Sequence, residues 1–500
     1  MASTPPALHT EDGPSTRRPA WNAMILVIAC TAQFMVVLDV SIVNVALPDM
    51  KASLGLSPAG QQWIVNAYTL GFAGLLLLGG RAADLVGARR TFLAGLATFT
   101  AASLACGLAA GGATLIAARA VQGIGGAILA PATLTLIMTT FTEPRARTRA
   151  MGAWGSVIAG AGAAGAVIGG LLTAYAGWRW VFFVNVPLGT ALFAAALLHV
   201  PGGRPPGPRA GQGGPPRLDL PGALAVTTGL TALVYGIIST ETASWTSPHV
   251  GAALAAGVLL LTAFVVVESK VAAPLVPLAL LRRRTLALAN LVMAGLGSAM
   301  FAMWFLLSLY LQQVLGYSAL KTGLWFLPGC LAIILGTRLS TRLIHRTGPR
   351  PLLVAGMGVS TLGFLWLSRV TVGGVFTTDV AAPFVLCTFG LGLAMLPVTA
   401  AATAGIAPRE AGLVSGLVNT SRQVGGALGV AILATVASHT TRAHAGPAAQ
   451  ALTAGYGNAF LCAALFTAGA ALASLLLPGG PTEPGPGGAP VAAPAPVEKQ

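Results

Sequence analysis

Long apolar runs dominate the sequence, each about as long as a helix must be to cross a lipid bilayer. A membrane span needs about 20 apolar residues, because 1.5 Å per residue must cover a ~30 Å hydrocarbon core. We identify fourteen such runs, at residues 21–48, 59–80, 90–110, 112–140, 150–174, 179–200, 218–238, 249–267, 286–312, 320–341, 351–368, 380–400, 410–436 and 454–477. The predicted fold class is therefore an all-α polytopic membrane protein.

The overall composition agrees with a membrane protein and excludes an ordinary soluble one. Hydrophobic residues make up 55% of the 500 residues and charged residues only 8%, whereas soluble domains are about 25% charged. All five cysteines lie inside apolar runs, without metal-site spacing or a disulfide pattern. We expect them to be core residues, and we expect no metal site.

The net charge of +15 could indicate a nucleic-acid partner, but its distribution argues against one. If both termini are cytoplasmic, 21 of the Lys and Arg residues lie on that side, 5 lie outside and 2 lie within spans. This asymmetry follows the positive-inside rule. The sequence thus predicts a multi-pass protein of the cell membrane with cytoplasmic termini, surrounded by lipid and binding no nucleic acid.

Asp39 is the most informative charged residue of the first span. Of the thirteen acidic residues, it is the one with apolar sequence on both sides, and the others lie in tails, in loops or at the ends of runs. A carboxylate at mid-membrane costs about 2.5–3.5 kcal/mol, and residues this costly usually have a function. Asp39 is our candidate for proton coupling, and a side chain that merely reaches the headgroups is the alternative.

Arg119 is a second charge predicted to be buried, in the fourth span. At 100° per residue, it shares a helix face with Gln122, Gly123 and Gly126, which would suit a helix that lines a cavity. Counting about 1.5 Å per residue places Asp39 and Arg119 at a similar depth, in the outer third of the membrane. We predict that they form a charge pair or share a water network.

Two further spans carry features that suggest packing or binding. In the fifth span, Gly155, Gly162 and Gly169 recur every seven residues and predict a close-packing face. In the thirteenth, Arg422 is a third buried charge, accompanied by Asn419 and Gln423. A structural role for Arg422 and a contact with substrate are equally open.

The order of spans predicts two six-helix bundles separated by two extra central helices, which carry no buried charge. A Pro/Gly-rich stretch divides the first six spans from the remaining eight, and repeated halves are a common transporter plan. The expected segments are a disordered N-terminal tail (1–20), the first bundle (21–200), a linker (201–217), the two extra helices (218–267), a loop (268–285), the second bundle (286–477) and a disordered C-terminal tail (478–500).

A short turn between the second and third spans, GGRAADLVGARR over 79–90, stands out. An ordinary basic loop would not need an acidic residue between glycines at this spacing. Glycines allow close approach of the backbone, and the acid can serve a helix N-terminus or a basic partner. The residues concerned are Gly80, Asp84, Gly87, Arg89 and Arg90.

Together these motifs resemble the major facilitator superfamily, specifically its fourteen-span drug:proton antiporter branch. The resemblance covers most of residues 21–477. It is carried by LDVSIVNVALP (38–48), the 79–90 turn, RAVQGIGGA (119–127), WGSVIAGAGAAGAVIGG (154–170), WRWVFFVNVP and SGLVNTSRQVGGALG.

The resemblance implies roles for individual residues. Asp39 and Arg119 would take part in proton coupling, and the five residues of the 79–90 turn in a cytoplasmic gate. Residues expected to line the cavity or pack helices are Asn44, Gln122, Gly126, Gly165, Gly169, Asn419, Arg422 and Gln423. The sequence departs from the family pattern at Ala166, where proline is usual, and at Leu85 and Ala88, where basic residues are common.

These observations predict a proton-coupled exporter of drugs, antibiotics or other amphipathic small molecules, working by alternating access. We expect a monomer that is not an enzyme and that uses the proton gradient in place of a cofactor. A proton-coupled importer of a small metabolite and a non-transporting membrane sensor remain alternatives. The sequence does not identify the substrate.

Overall fold

The computed structural model describes residues 19–202, 219–271, 275–276, 278–406 and 410–478. Residues 1–18 of the predicted N-terminal tail, most of the 201–217 linker and nearly all of the C-terminal tail lie outside these ranges, and residues 19–20 belong to the first helix. Within them the chain is almost entirely helical and has no strand.

The helices follow one another with short connections. In chain order they are α1 (Pro19–Leu54), α2 (Pro58–Val86), α3 (Ala88–Gly107), α4 (Gly112–Thr140), α5 (Pro144–Tyr175), α6 (Trp180–Phe183), α7 (Asn185–His199), α8 (Leu220–Ser239), α9 (Pro248–Lys270), α10 (Leu278–Leu281), α11 (Arg284–Leu309), α12 (Ala319–Trp325), α13 (Leu327–Thr347), α14 (Pro349–Leu367), α15 (Ala381–Thr403), α16 (Ala411–Ala443) and α17 (Ala448–Leu475). Two π-helical turns, Tyr310–Val314 and Phe376–Val380, extend α11 and precede α15.

Each predicted span corresponds to a helix or a consecutive helix pair. Thirteen spans in the described part of the chain are long and apolar enough to cross a membrane. The remaining predicted span corresponds to α3, which has 20 residues and so a length of about 30 Å. Because α3 packs between α4 and α7, it belongs to the same bundle as the qualifying helices.

The helices alternate in direction between two faces of the molecule. At the near face, where α1 begins, the Trp21 ring lies 5.3 Å from the His199 ring at the end of α7. At the far face, Arg179 Nη2 donates to Ala109 O over 3.1 Å, joining the loop before α6 to the loop after α3.

The helices pack as two bundles and a hairpin, which confirms the predicted architecture. The first bundle comprises α1 to α7, held by contacts of α1 with α4 and α5 and of α4 with α2 and α3. The second comprises α11 to α17, in which α11 packs on α16 and α17, and α15 on α13 and α14. The α8–α9 hairpin rests through α8 on α2 and α16, one helix from each bundle.

The two bundles contact each other along α2 and α16, and at the far face also through α1, α5, α11 and α12. Ser308 Oγ of α11 donates to Asn44 O of α1 over 2.9 Å. A Cβ atom added at Gly170 of α5 would lie 2.7 Å from Ala319 O of α12, so the backbones of α5 and α12 are in direct contact there. In the near half of α5, by contrast, a Cβ added at Gly155 would have no neighbour within 4 Å.

This difference along α5 corrects one prediction. Gly169 does pack closely, since an added Cβ would lie 2.9 Å from Ile42 O of α1. Gly155 and Gly162, which share its seven-residue spacing, have no atom within 4 Å of an added Cβ. The spacing identifies one helix face correctly, but α1 covers only the far half of that face.

Candidate functional site

A buried salt bridge joins the two charges that the sequence places at equal depth in the first bundle. Asp39 lies on α1 and Arg119 on α4, with 2.5 Å between Asp39 Oδ2 and Arg119 Nη1. The side chains are 0% and 2% exposed, so water does not reach the pair. Arg119 Nε also donates to Ile64 O of α2 over 3.2 Å.

Two amides and a hydroxyl complete the cluster. Gln122 Nε2 donates to Asp39 Oδ1 over 2.8 Å, and Gln122 Oε1 accepts from Arg119 Nη1 over 2.7 Å. Asn185 Nδ2 at the start of α7 donates to the same carboxylate oxygen over 3.2 Å. Both amides also donate to Ser103 Oγ of α3. The cluster therefore links α1, α3, α4 and α7.

Asn185 and Ser103 are not among the site residues predicted from the sequence. Asn185 lies in the WRWVFFVNVP motif, where a lone asparagine among apolar residues was the available signal. Ser103 gives no such signal, because serine is common in membrane helices and can bond its own backbone.

Aromatic rings enclose the guanidinium group. Arg119 Cζ lies 4.3 Å from the centroid of the Tyr68 ring and 5.8 Å from that of Phe182. Both distances are within the range of cation–π attraction. The Tyr68 hydroxyl is buried and has no hydrogen-bond partner among the described residues. It is therefore available to Arg119 or Asp39 if the pair separates.

The charges of Asp39 and Arg119 depend on each other for compensation. Asp39 accepts hydrogen bonds from Arg119, Gln122 and Asn185, and its charge balances that of Arg119. Removing one partner of a buried ion pair costs about 3–5 kcal/mol, because the other charge is left uncompensated. Protonation of Asp39 would have this effect on Arg119, and the surrounding helices would have to adjust.

The cluster lies inside the first bundle, which corrects the prediction that this face of α4 lines a cavity. A Cβ added at Gly123 would lie 2.2 Å from Tyr68 O of α2, and one at Gly126 would lie 3.1 Å from Phe72. Gly123 therefore allows the backbones of α2 and α4 to touch, and Gly126 leaves room for the Phe72 ring.

Three other predicted cavity or packing residues lie at contacts of α1. Gly165 and Gly169 pack against it, with an added Cβ at Gly165 lying 2.7 Å from Ser41 Cβ. Asn44 is buried, and its Nδ2 donates to Val40 O within the same helix. Its backbone carbonyl lies at the contact with α11 described above. The structure places all three at helix contacts.

The cluster predicted in the thirteenth span forms on α16. Arg422 donates to Asn419 Oδ1 through Nη2 at 2.7 Å and Nε at 3.2 Å. Gln423 is buried, and Arg422 is partly buried. No acidic side chain pairs with Arg422 within the described ranges. A Cβ added at Gly297 of α11 would lie 2.1 Å from Arg422 O, so this segment also fixes the contact of α11 with α16.

Two residues of the 79–90 turn have defined structural roles. Gly87 joins α2 to α3 with φ 99°, a conformation that side chains disfavour. Arg89 Nη2 donates to Leu197 O near the end of α7 over 2.8 Å. This bond ties the turn to the first bundle at the near face.

The other residues of the turn are less constrained. A Cβ added at Gly80 would make an ordinary 3.8 Å contact with Pro131, and Arg90 is exposed. The side chain of Asp84 lies outside the described part of the structure. The gate role predicted for this turn stays a prediction.

The α8–α9 hairpin overturns the prediction that the two extra helices carry no buried charge. Asp219, Glu241 and Glu268 are 5%, 4% and 3% exposed. Glu241 lies in the loop at the far face, where it accepts a hydrogen bond from Gln62 of α2. Asp219 and Glu268 lie at the near end. All three stand at the ends of apolar runs, and packing of the hairpin on α2 and α16 buries them.

Comparison with known proteins assigns this arrangement to a family. A family model described as "Major Facilitator Superfamily" matches residues 29–430. The chain belongs to the major facilitator superfamily. This confirms the family inferred from the motifs. Because the superfamily consists of transporters, the prediction that the chain is not an enzyme is also confirmed.

Two similar members of the superfamily are named for antibiotics. The chain is 44% identical over 466 residues to "Cephamycin export protein CmcT" of Amycolatopsis lactamdurans, covering 93% of this chain and 94% of that protein. It is 43% identical over 436 residues to "Puromycin resistance protein pur8" of Streptomyces alboniger, covering 86% and 84%.

A solved structure shares the major facilitator fold. A bacterial homolog of the human lysosomal transporter Spinster, in an inward-facing and occupied conformation, matches with a TM-score of 0.65 at 15% identity. The match covers 92% of this chain and 97% of the other. At this identity the likeness supports the fold alone.

Proposed function

We propose that this protein is a proton-coupled antiporter that exports antibiotics or related amphipathic small molecules across the cell membrane. The observation that carries the proposal is the buried cluster of Asp39, Arg119, Gln122 and Asn185. Carboxylates buried at membrane depth commonly belong to proton relays in transporters, and Asp39 is such a carboxylate. The names of the two relatives support export as the direction of transport and antibiotics as the substrate class.

We assign the near face to the cytoplasm, because Lys and Arg residues concentrate there. The described conformation is then closed to the outside through the contacts of α1 with α11 and of α5 with α12. Rocking of the two bundles would open the far face and close the near one. Substrate would enter from the cytoplasm or the inner leaflet.

A short path along α1 connects the proton site to the contact between bundles. Asp39 and Asn44 are five residues apart on one helix, and the Asn44 carbonyl accepts the hydrogen bond from Ser308 of α11. The next carbonyl, Val45 O, accepts from Gln312 Nε2 over 3.0 Å. A shift of α1 on protonation of Asp39 would therefore reach the far-face contact directly.

The test is substrate-driven proton movement in inverted membrane vesicles. Wild type and Asp39→Asn would be compared across a panel of dyes and antibiotics that includes a cephamycin and puromycin. We expect at least one compound to release protons from energised wild-type vesicles and to have no such effect with Asp39→Asn. An equal response in the two proteins would contradict the role of Asp39.

A matched control exists on the same helix. Asp49 of α1 is exposed at the far face, so Asp49→Asn removes the same charge outside the cluster and should leave the response intact. Facilitated uptake of a compound by wild-type cells, with no efflux, would favour the importer alternative. No transport of any compound, with a phenotype that survives Asp39→Asn, would favour a sensor.

A further inference from the structure

Two buried carboxylates at the near end of the α8–α9 hairpin have oxygens without a partner. Asp219 Oδ1 accepts from Gly222 N over 2.9 Å and caps α8, whereas Asp219 Oδ2 has no hydrogen-bond partner among the described residues. Glu268 Oε2 accepts from Val276 N over 3.2 Å, whereas Glu268 Oε1 has none. Both side chains are at least nine-tenths buried.

The two unpartnered oxygens both lie beside Gly222. A Cβ added at Gly222 would be 2.5 Å from Asp219 Oδ2 and 3.0 Å from Glu268 Oε1. Two carboxyl groups that face the same glycine in this way can form a direct side-chain hydrogen bond. Such a bond requires a proton on one of them, since two carboxylates offer only acceptors.

Within the described ranges, no positive charge compensates the two carboxyl groups. No described Lys, Arg or His forms an ion pair with either group. Lys270 and Arg282, the nearest described cations along the chain, are exposed, and Arg81 at the near end of α2 is only partly buried. The adjoining surfaces of α2 and α16 are apolar, with Leu77 and Leu417 in the cluster that encloses the hairpin end.

We propose that Asp219 and Glu268 form a second proton-binding site, in which the two carboxyl groups share one proton. The shared proton holds the near end of the hairpin against both bundles. Glu268 anchors the backbone of Val276, and the buried side chains of Leu275 and Val276 pack in the same cluster as Leu77 and Leu417. The site lies in the hairpin, apart from the Asp39 cluster.

Loss of that proton would weaken the hairpin contact. Two like charges in one buried site cannot both be ionised without a large cost. In the unfolded chain both groups are ionised at neutral pH. The folded protein thus holds one more proton than the unfolded chain, and its stability falls as pH rises through the titration of the pair. The proton leaves to water at the near face.

The test is the pH dependence of thermal unfolding of the full-length protein in detergent, followed by tryptophan fluorescence. The variants are Glu268→Gln and Asp219→Asn, which replace one carboxyl by an amide that donates to the other. Asparagine also remains a good helix N-cap. We expect the wild-type Tm to fall by several degrees from mildly acidic to mildly alkaline pH. The Tm of each variant should change much less over the same range.

Two controls make the result specific. Glu143→Gln changes an exposed glutamate at the near face and should keep the wild-type pH dependence. The Asp39→Asn background should also keep it, so the outcome does not depend on the antiporter proposal. An unchanged pH dependence in Glu268→Gln, or a Tm lowered equally at every pH, would overturn the shared proton. If sodium but not choline restored the Tm at alkaline pH, the two carboxyl groups would bind a cation and not a shared proton.

Discussion

At the scale of single residues, the Asp39–Arg119 pair buries two opposite charges side by side. Each charge alone would be expensive in the membrane interior, and together they compensate one another. Gln122 and Asn185 hold the carboxylate on its other side. The consequence is that each charge is needed because the other is present, which a double-mutant cycle can measure.

We predict that Arg119→Gln destabilises the protein by about 3–5 kcal/mol, because Asp39 is left buried and unpaired. Adding Asp39→Asn should recover most of the loss, since the double variant buries no charge. The measurement is thermal unfolding of the two single variants and the double variant in detergent at fixed pH. Additive losses in the double variant would show that the two side chains do not interact energetically.

This pair could be predicted from sequence because charges in membrane spans are rare and depth follows from counting residues. Asp219, Glu241 and Glu268 could not, since each stands at the end of an apolar run where exposure is the usual outcome. Their burial depends on contacts with α2 and α16, which are distant in sequence. Asn185 shows the same limit, because its partner Asp39 is 146 positions away.

At the scale of helices, adjacent glycines of α2 have different environments. A Cβ added at Gly79 would lie 2.2 Å from Ala127 O in the backbone of α4, whereas one at Gly80 would contact only Pro131 at 3.8 Å. The sequence of the 79–90 turn suggests a role for Gly80 and none for Gly79. The structure indicates that Gly79 determines how closely α2 and α4 pack.

We predict that Gly79→Ala destabilises the protein by about 1–3 kcal/mol, because the α4 backbone must move to admit a methyl group. Gly80→Ala should be neutral or stabilising by up to about 1 kcal/mol, as is usual for glycine to alanine inside a helix. Thermal unfolding of the two variants side by side checks this. Equal destabilisation would mean that α2 and α4 do not approach as closely as described.

The loop of the hairpin carries a second element-scale feature, the buried Glu241 at the far face. It accepts a hydrogen bond from Gln62 of α2, and the positive charge of Arg442 of α16 acts on it. Burial raises the pKa of Glu241, although Arg442 and the hydrogen bonds act in the opposite direction. The carboxyl group thus touches both bundles where they close.

We predict that protonation of Glu241 favours closure of the far face. The pKa is raised while the site is buried and returns toward its ordinary value when opening solvates it. Closure is therefore fully favoured at low pH and weakens as pH rises through the raised pKa.

Spin labels at Ser53 and Ser318, both exposed at the far face, would measure this. The distance between the labels should lengthen with rising pH in the wild type. In Glu241→Gln, which mimics the protonated state, the distance should stay short at every pH. The same lengthening in Glu241→Gln would assign the effect to another group.

At the scale of the whole molecule, α5 distinguishes the two faces. Its far half contacts the second bundle closely, with an added Cβ at Gly170 only 2.7 Å from Ala319 O. Its near half offers open space at Gly155. If the bundles move as rigid bodies, a bulky side chain should hold them apart at Gly170 and be accommodated at Gly155 in the described conformation.

We predict that Gly170→Trp abolishes transport while the protein still folds, because the far face can no longer close. Ser308, which is fully buried beneath that contact, reports the opening. In a background whose native cysteines are replaced by alanine, Ser308→Cys should be protected from a membrane-impermeant maleimide. Adding Gly170→Trp should speed labelling by about tenfold or more, the effect of a population shift of about 1.4 kcal/mol.

Gly155→Trp is the matched control and should leave Ser308→Cys protected. Equal protection in the two tryptophan variants would show that the contact of α5 with α12 does not control opening of the far face.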